Sequence, residues 1–343
     1  MTVKGPIASH ELGVTLPHEH ILNDVRCWWH RPSSPARRHL ATEPVHAGIL
    51  AALRDDPFVN LDNCRLDDER LAITELAAFR SAGGATVVDP TCRGIGRNPA
   101  GLRRISEATG LHLVMAAGYY LESSHPPELA AMSIDAIADE IVAEAITGVD
   151  GVRIGLIGEI GVSSDFTATE RKSLQAAARA QRRTGLPLMV HLPGWFRLGL
   201  DVLDVVEGEG GDPRHTVLCH MNPSFDDPDY QVACARRGAF VEYDMLGMDF
   251  FYADQGVQCP ADEQTASALA RLVDVGIGDR LLLSQDVFLK MMLSAYGGNG
   301  YAHVLERFVP RLRRHGVAEA AIRGLLVDNP RAVFDGRPEG ERP

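Results

Sequence analysis

The sequence predicts an α/β protein built as a single (β/α)8 barrel, and three observations carry the prediction. From residue 84 onward, short apolar runs alternate with longer amphipathic stretches, the rhythm of repeated βα units around a parallel sheet. Strand-like runs number eight once residues 12–16 are included. No GxGxxG follows an early strand, which argues against a doubly wound dinucleotide-binding sheet.

Taken in order, the strands are expected at 12–16 (LGVTL), 84–89 (GATVVD), 111–117 (LHLVMAA), 153–158 (RIGLIG), 187–190 (PLMV), 215–219 (HTVLC), 238–243 (GAFVEY) and 280–284 (RLLLS). Helical patterns fall near 66–82, 99–109, 128–148, 167–184, 196–207, 227–237, 261–276 and 301–315, with a short C-terminal helix near 317–326. Thr167 with Glu170 reads as a capping box opening one of them. Residues 23–65 break the rhythm as a long first βα loop rich in Trp, Pro and Arg; loops of that length are usually functional, so this one is expected to wall the barrel mouth. No linker divides the chain, so residues 1–343 read as one domain.

Bulk properties narrow the function. The chain has 343 residues, 45% hydrophobic and 23% charged, with a formal net charge of −12, which argues against nucleic acid or an anionic membrane as partner. The start MTVKGPIASHELG lacks the apolar run of a signal peptide, and no window is long and apolar enough to span a membrane, so the protein is expected to be cytoplasmic. Six scattered cysteines, without a CxxC pair, read as reduced thiols. The partner left standing is a small molecule; the oligomeric state stays open, a homodimer included.

Active-site groups of such barrels stand at the C-terminal ends of the strands. There the sequence places His18 and His20 of "TLPHEH", Glu159 of "GLIGEIG", His191 of "VHLPG", His220 of "CHMNP" and Asp286 of "SQDVF". Two histidines one residue apart on a strand share a face, the geometry of a chelate. Each residue alone has an ordinary explanation: a core histidine for His191, a salt-bridged acid for Glu159, a helix cap for Asp286. Six together on one rim do not. Imidazole with carboxylate suits zinc or another first-row divalent ion, manganese or cobalt included, and six donors exceed what one open catalytic site uses, so two ions are expected.

These segments, with "YGGNGYAHVLERFVPRLRRHG" and "DNPRAVF", resemble the phosphotriesterase-related family of the amidohydrolase superfamily over nearly the whole chain. The resemblance implies a TIM barrel with a binuclear metal centre: His18, His20 and Asp286 at the more buried ion, His191 and His220 at the more exposed one, Glu159 bridging. Many such proteins bridge with a carboxylated lysine. Here the position is Glu159, and Lys4, Lys172 and Lys290 are the only lysines, none near it in sequence.

The implied chemistry is hydrolysis of a carboxylic ester, lactone or amide by a metal-bridging hydroxide, with Asp286 handling the proton. A phosphotriester hydrolase using the same site is the alternative, and a non-catalytic metal-holding protein the alternative of another class. On the substrate side Tyr119, Arg93 and Asp244 are expected to face the site. Arg26, Arg31, Arg37, Arg38, Arg93 and Arg97 cluster in the loops expected to overhang it, which predicts a substrate with an anionic group away from the scissile bond.

Overall fold

The computed structural model describes residues 1–335. Eight strands, β1 (Thr15–Leu16), β2 (Thr86–Asp89), β3 (His112–Ala117), β4 (Leu156–Gly161), β5 (Leu188–His191), β6 (Thr216–Leu218), β7 (Phe240–Tyr243) and β8 (Leu281–Leu283), lie side by side in chain order, every neighbouring pair parallel. The sheet curls into a nearly closed barrel. Its last seam is held at the strand ends, where Ser284 Oγ donates to the His18 carbonyl (2.8 Å), the Asp286 N–H to the same carbonyl (3.2 Å) and the His20 N–H to the Val287 carbonyl (3.1 Å).

Alternation along the strands sorts the core into two layers. Val88, Val114, Ala116, Leu156, Met189, Val217, Cys219, Phe240 and Leu282 form the small barrel interior, joined by Val333 near the chain's end. Their sequence neighbours, such as Val87, Leu113, Leu188, Leu218, Val241 and Leu281, belong to the larger apolar cluster outside it, which also holds core residues of the helices. Further up the barrel, the interior positions two residues beyond Phe240, Leu282 and Met189 are Glu242, Ser284 and His191, so an apolar plug gives way to polar side chains.

Each crossover carries a helix, and several ends follow their residues. Thr167 and Glu170 cap each other at the start of the helix Ala168–Thr184, whose last turn ends on Gly185 at φ +70°. The pattern expected as one helix at 128–148 divides into a 3₁₀ turn, Pro127–Ala131, and a helix, Ile134–Ile146, that restarts where Ser133 accepts the Ala136 N–H. Likewise 301–315 resolves into a π turn, Val304–Phe308, and the helix Val309–Arg314. Residues 23–65 form a built segment with 3₁₀ turns and the short helix Leu50–Asp55, its base tied by Asn23–Asp24 pairing antiparallel with Arg65–Leu66. The six cysteines form no disulfide, and no helix among the described residues is long and apolar enough to cross a membrane.

Candidate metal centre

Three departures from ideal strand geometry help to aim the rim side chains at one point. β1 is only two residues long, so His18 and His20 stand beyond it, and the contacts across the seam with Ser284 and Val287 orient them. β4 runs Leu156–Gly161 rather than 153–158, which puts Glu159 inside the strand; the register with β5 shifts between Ile157 and Ile160, and this irregularity re-aims the carboxylate. His220 and Asp286 each adopt a left-handed backbone, φ +58° and +49°. Such a conformation costs an L-residue roughly 1–3 kcal/mol and persists where the surroundings over-determine it. Here Asp244 accepts the His220 N–H (2.9 Å), and the His18 carbonyl accepts that of Asp286.

The distances describe a compact donor cluster. Nε2 of His18 lies 3.6 Å from Glu159 Oε2 and 3.5 Å from Asp286 Oδ1, and Nε2 of His20 lies 3.3 Å from Glu159 Oε1 and 3.4 Å from the same Asp286 oxygen. On the other side of Glu159, His191 Nδ1 and His220 Nε2 approach its Oε2 at 3.3 and 3.5 Å and each other at 2.7 Å. Glu159 therefore belongs to both triads. His18 Nε2, Glu159 Oε2 and Asp286 Oδ1 are buried without a hydrogen-bond partner. Leaving such an atom unsatisfied costs about 1–3 kcal/mol, a penalty that a bound cation removes by accepting their lone pairs. The donor set thus fits first-row divalent ions such as zinc.

Behind the donors a second layer fixes their orientation. His18 Nδ1 lies 3.2 Å from Glu242 and 3.3 Å from Asp244, His220 Nδ1 lies 3.0 Å from Asp244, and His20 Nδ1 lies 2.7 Å from the Thr91 hydroxyl. Held this way through Nδ1, each ring presents Nε2 to the centre. Glu19 accepts four hydrogen bonds, from Ser284 Oγ, Val287 N and both the backbone and side chain of Gln285, which ties the loop after β8 to the one after β1. Electrostatics follow. Burial opposes ionisation of Glu159, but His18, His191 and His20 outweigh it and hold the carboxyl well below its usual range. At Glu242 burial wins instead, raising it to about 7 against the pull of His18. At His220 burial is overcome by Asp244 and Glu159, which raise the imidazole to about 10.

The expectations about substrate contacts need correction. Tyr119 turns outward, its hydroxyl donating to Glu140 on the helix Ile134–Ile146, whereas Tyr120 lines the cavity with its ring 4.8 Å from that of His191. Alternation explains this, since counting by two from the interior residues Val114 and Ala116 reaches Tyr120. Arg93 is 61% exposed and 3.5 Å from Glu128, outside the cavity lining. Arg97 is buried in a two-pronged pair with Glu144 and also donates to the Ala116 carbonyl. Asp244 stands behind the histidines as their hydrogen-bond partner rather than in the cavity. Asn222, two residues after His220, is turned elsewhere, its side-chain oxygen accepting the Met245 N–H. Sequence reasoning missed Glu242, Thr91 and Glu19. An acid in the middle of "FVEY", at an interior strand position, was the signal available for the first.

A cavity of about 650 Å³ opens over the cluster, with His20, Glu159, His191, His220 and Asp286 in its floor and Val25, Trp28 and Phe58 of the 23–65 segment in its wall. A model of the phosphotriesterase family matches residues 1–334. N-acetyltaurine hydrolase from Danio rerio is 35% identical over 335 residues, 96% of each chain. Among solved structures, a resiniferatoxin-binding protein from Rhodobacter sphaeroides aligns with a TM-score of 0.97 at 64% identity, covering 98% of this chain and 96% of that one. A mutant of the phosphotriesterase-like lactonase from Deinococcus radiodurans aligns at 0.76 and 28% identity, covering 97% and 99%. Matched along nearly its whole length, the chain belongs to the phosphotriesterase family and is a hydrolase.

Proposed function

We propose that the chain hydrolyses a carboxylic ester, lactone or amide of a small molecule at a centre of two divalent ions, zinc first among them. The observation that carries this reading is Glu159, shared between two triads of donors, with its Oε2 and the neighbouring His18 Nε2 and Asp286 Oδ1 buried and lacking hydrogen-bond partners. His18, His20 and Asp286 would hold one ion, His191 and His220 the other, and Glu159 both. When bound, such ions supply an acidified water and polarise a carbonyl oxygen. The chain's own residues do the rest. Asp286 Oδ1 faces His18 and His20, and its Oδ2 would take the proton from the attacking water and return it to the departing alcohol or amine. Tyr120 and Trp28, joined by the indole N–H donating to the phenol oxygen (3.1 Å), brace the substrate side of His191.

Acyl chemistry is preferred over phosphotriester cleavage because the relatives reported above include an amide hydrolase and a lactonase. The test is a panel of neutral lactones, carboxylic esters, N-acyl amines and a diethyl aryl phosphate, run on protein stripped with chelator and on protein reloaded with zinc, manganese or cobalt. Turnover of an acyl substrate that appears only after reloading is the expected result. A phosphotriester rate exceeding every acyl rate would reassign the reaction.

A further inference from the structure

The cavity walls carry information that the donor cluster does not. Trp28 and Phe58 of the 23–65 segment join Tyr120, Trp195, Tyr252 and Phe288 from four other loops in one connected aromatic surface. Phe58 sits at its centre, with ring centroids 5.5 Å from Trp28 in a stacked arrangement, 5.3 Å from Tyr252 and 6.2 Å from Phe288, and Trp195 extends the surface 5.6 Å beyond Tyr252. Among the described residues no arginine or lysine lines this cavity. In its polar corner Glu170 accepts from the Ser163 N–H and hydroxyl, the Thr167 N–H and the Glu122 N–H, and the Glu122 carboxylate is itself held low by hydrogen bonds from Thr169 and Thr167. An anionic substituent placed here would lose its water against aromatic rings and meet carboxylates rather than a counter-charge.

We propose that this hydrolase is selective for uncharged substrates bearing a large flat aromatic group, with the group against the Phe58-centred surface and the scissile carbonyl at the cluster. This rests on the acyl-hydrolase reading and replaces the anionic substrate that the loop arginines predicted. In the reaction water adds to the acyl carbon, the C–O bond breaks, the hydroxyl stays on the acid and the proton leaves with the alcohol. The same lining disfavours a small sulfonate of the N-acyltaurine type.

A matched pair isolates the charge: 1-naphthyl acetate and its 5-sulfonate, assayed on the metal-loaded protein. The expected result is a kcat/KM about 100-fold or more in favour of the neutral ester. Equal or reversed rates would overturn the proposal. Calorimetric binding of the alcohols, 1-naphthol and its 5-sulfonate, reads selectivity without turnover. If neither ester is cleaved while the neutral naphthol binds at least about tenfold tighter, the acyl-hydrolase reading fails and the cavity assignment stands. If the esters are cleaved without a charge preference, or neither naphthol binds, the cavity assignment fails. Phe196 stands at the rim and is 51% exposed, so an arginine there can keep its charge in water while facing the cavity mouth. Phe196→Arg should shrink the neutral-to-sulfonate ratio by about tenfold through gain on the sulfonate; an unchanged ratio would mean that charge does not set the preference.

Discussion

The floor and the walls of the cavity obey different rules. Three of the floor histidines are bound from behind, His18 by Glu242 and Asp244, His20 by Thr91 and His220 by Asp244, so their orientation is set by hydrogen bonds at the strand ends of the barrel. The aromatic walls come from loops and hold together chiefly by ring packing around Phe58, with the Trp28–Tyr120 hydrogen bond beside it. A floor built this way suits chemistry, which needs donors fixed to fractions of an ångström; walls built this way can change with the loops and leave the reaction intact.

The contrast breaks most sharply at the floor. His20→Ala removes a donor that faces both Glu159 and Asp286, and kcat/KM should fall by roughly 10³-fold or more together with the divalent metal content, read by steady-state kinetics and elemental analysis. Asp286→Asn keeps the shape but loses the proton carrier, so kcat should drop about 10²–10³-fold with KM little changed. Asp244→Asn tests the layer behind. It touches no substrate, and metal affinity measured by competitive chelation should weaken about 10–100-fold while KM for the retained, metal-saturated enzyme stays close to normal. At the walls the effect should be smallest and of another kind: Trp28→Ala should raise KM for a neutral aryl ester about tenfold with kcat kept within a few-fold. A wall variant that loses metal, or a floor variant that changes only KM, would erase the distinction.

The same contrast explains what could be read in the sequence. Barrel class and the positions of the six rim residues were legible because strand period and strand-end position are local properties, so "PHEH", "GEIG" and "SQD" announce themselves. Their aim was not. It depends on the register shift near Glu159 and on left-handed backbone at His220 and Asp286, which only the neighbouring strands impose. The arginines misled because the partner of a charge is a tertiary fact: Arg97 is spent on Glu144 and Arg93 sits beside Glu128, each far away in sequence. Tyr120 was within reach, since extending the interior alternation of β3 past its end selects it over Tyr119. The aromatic wall gave no warning, because Trp28, Phe58, Trp195 and Phe288 share no periodicity until the loops fold over the same opening.

The central claim, that Glu159 and the five residues around it hold the ions on which hydrolysis depends, is tested most directly by reconstituting chelator-stripped protein with zinc in steps, following acyl-ester turnover and bound metal together. Activity absent at the start and rising to a plateau at two equivalents per chain is the result expected of the wild type, with Glu159→Gln reaching no plateau. Full turnover by protein that elemental analysis finds free of metal would contradict it.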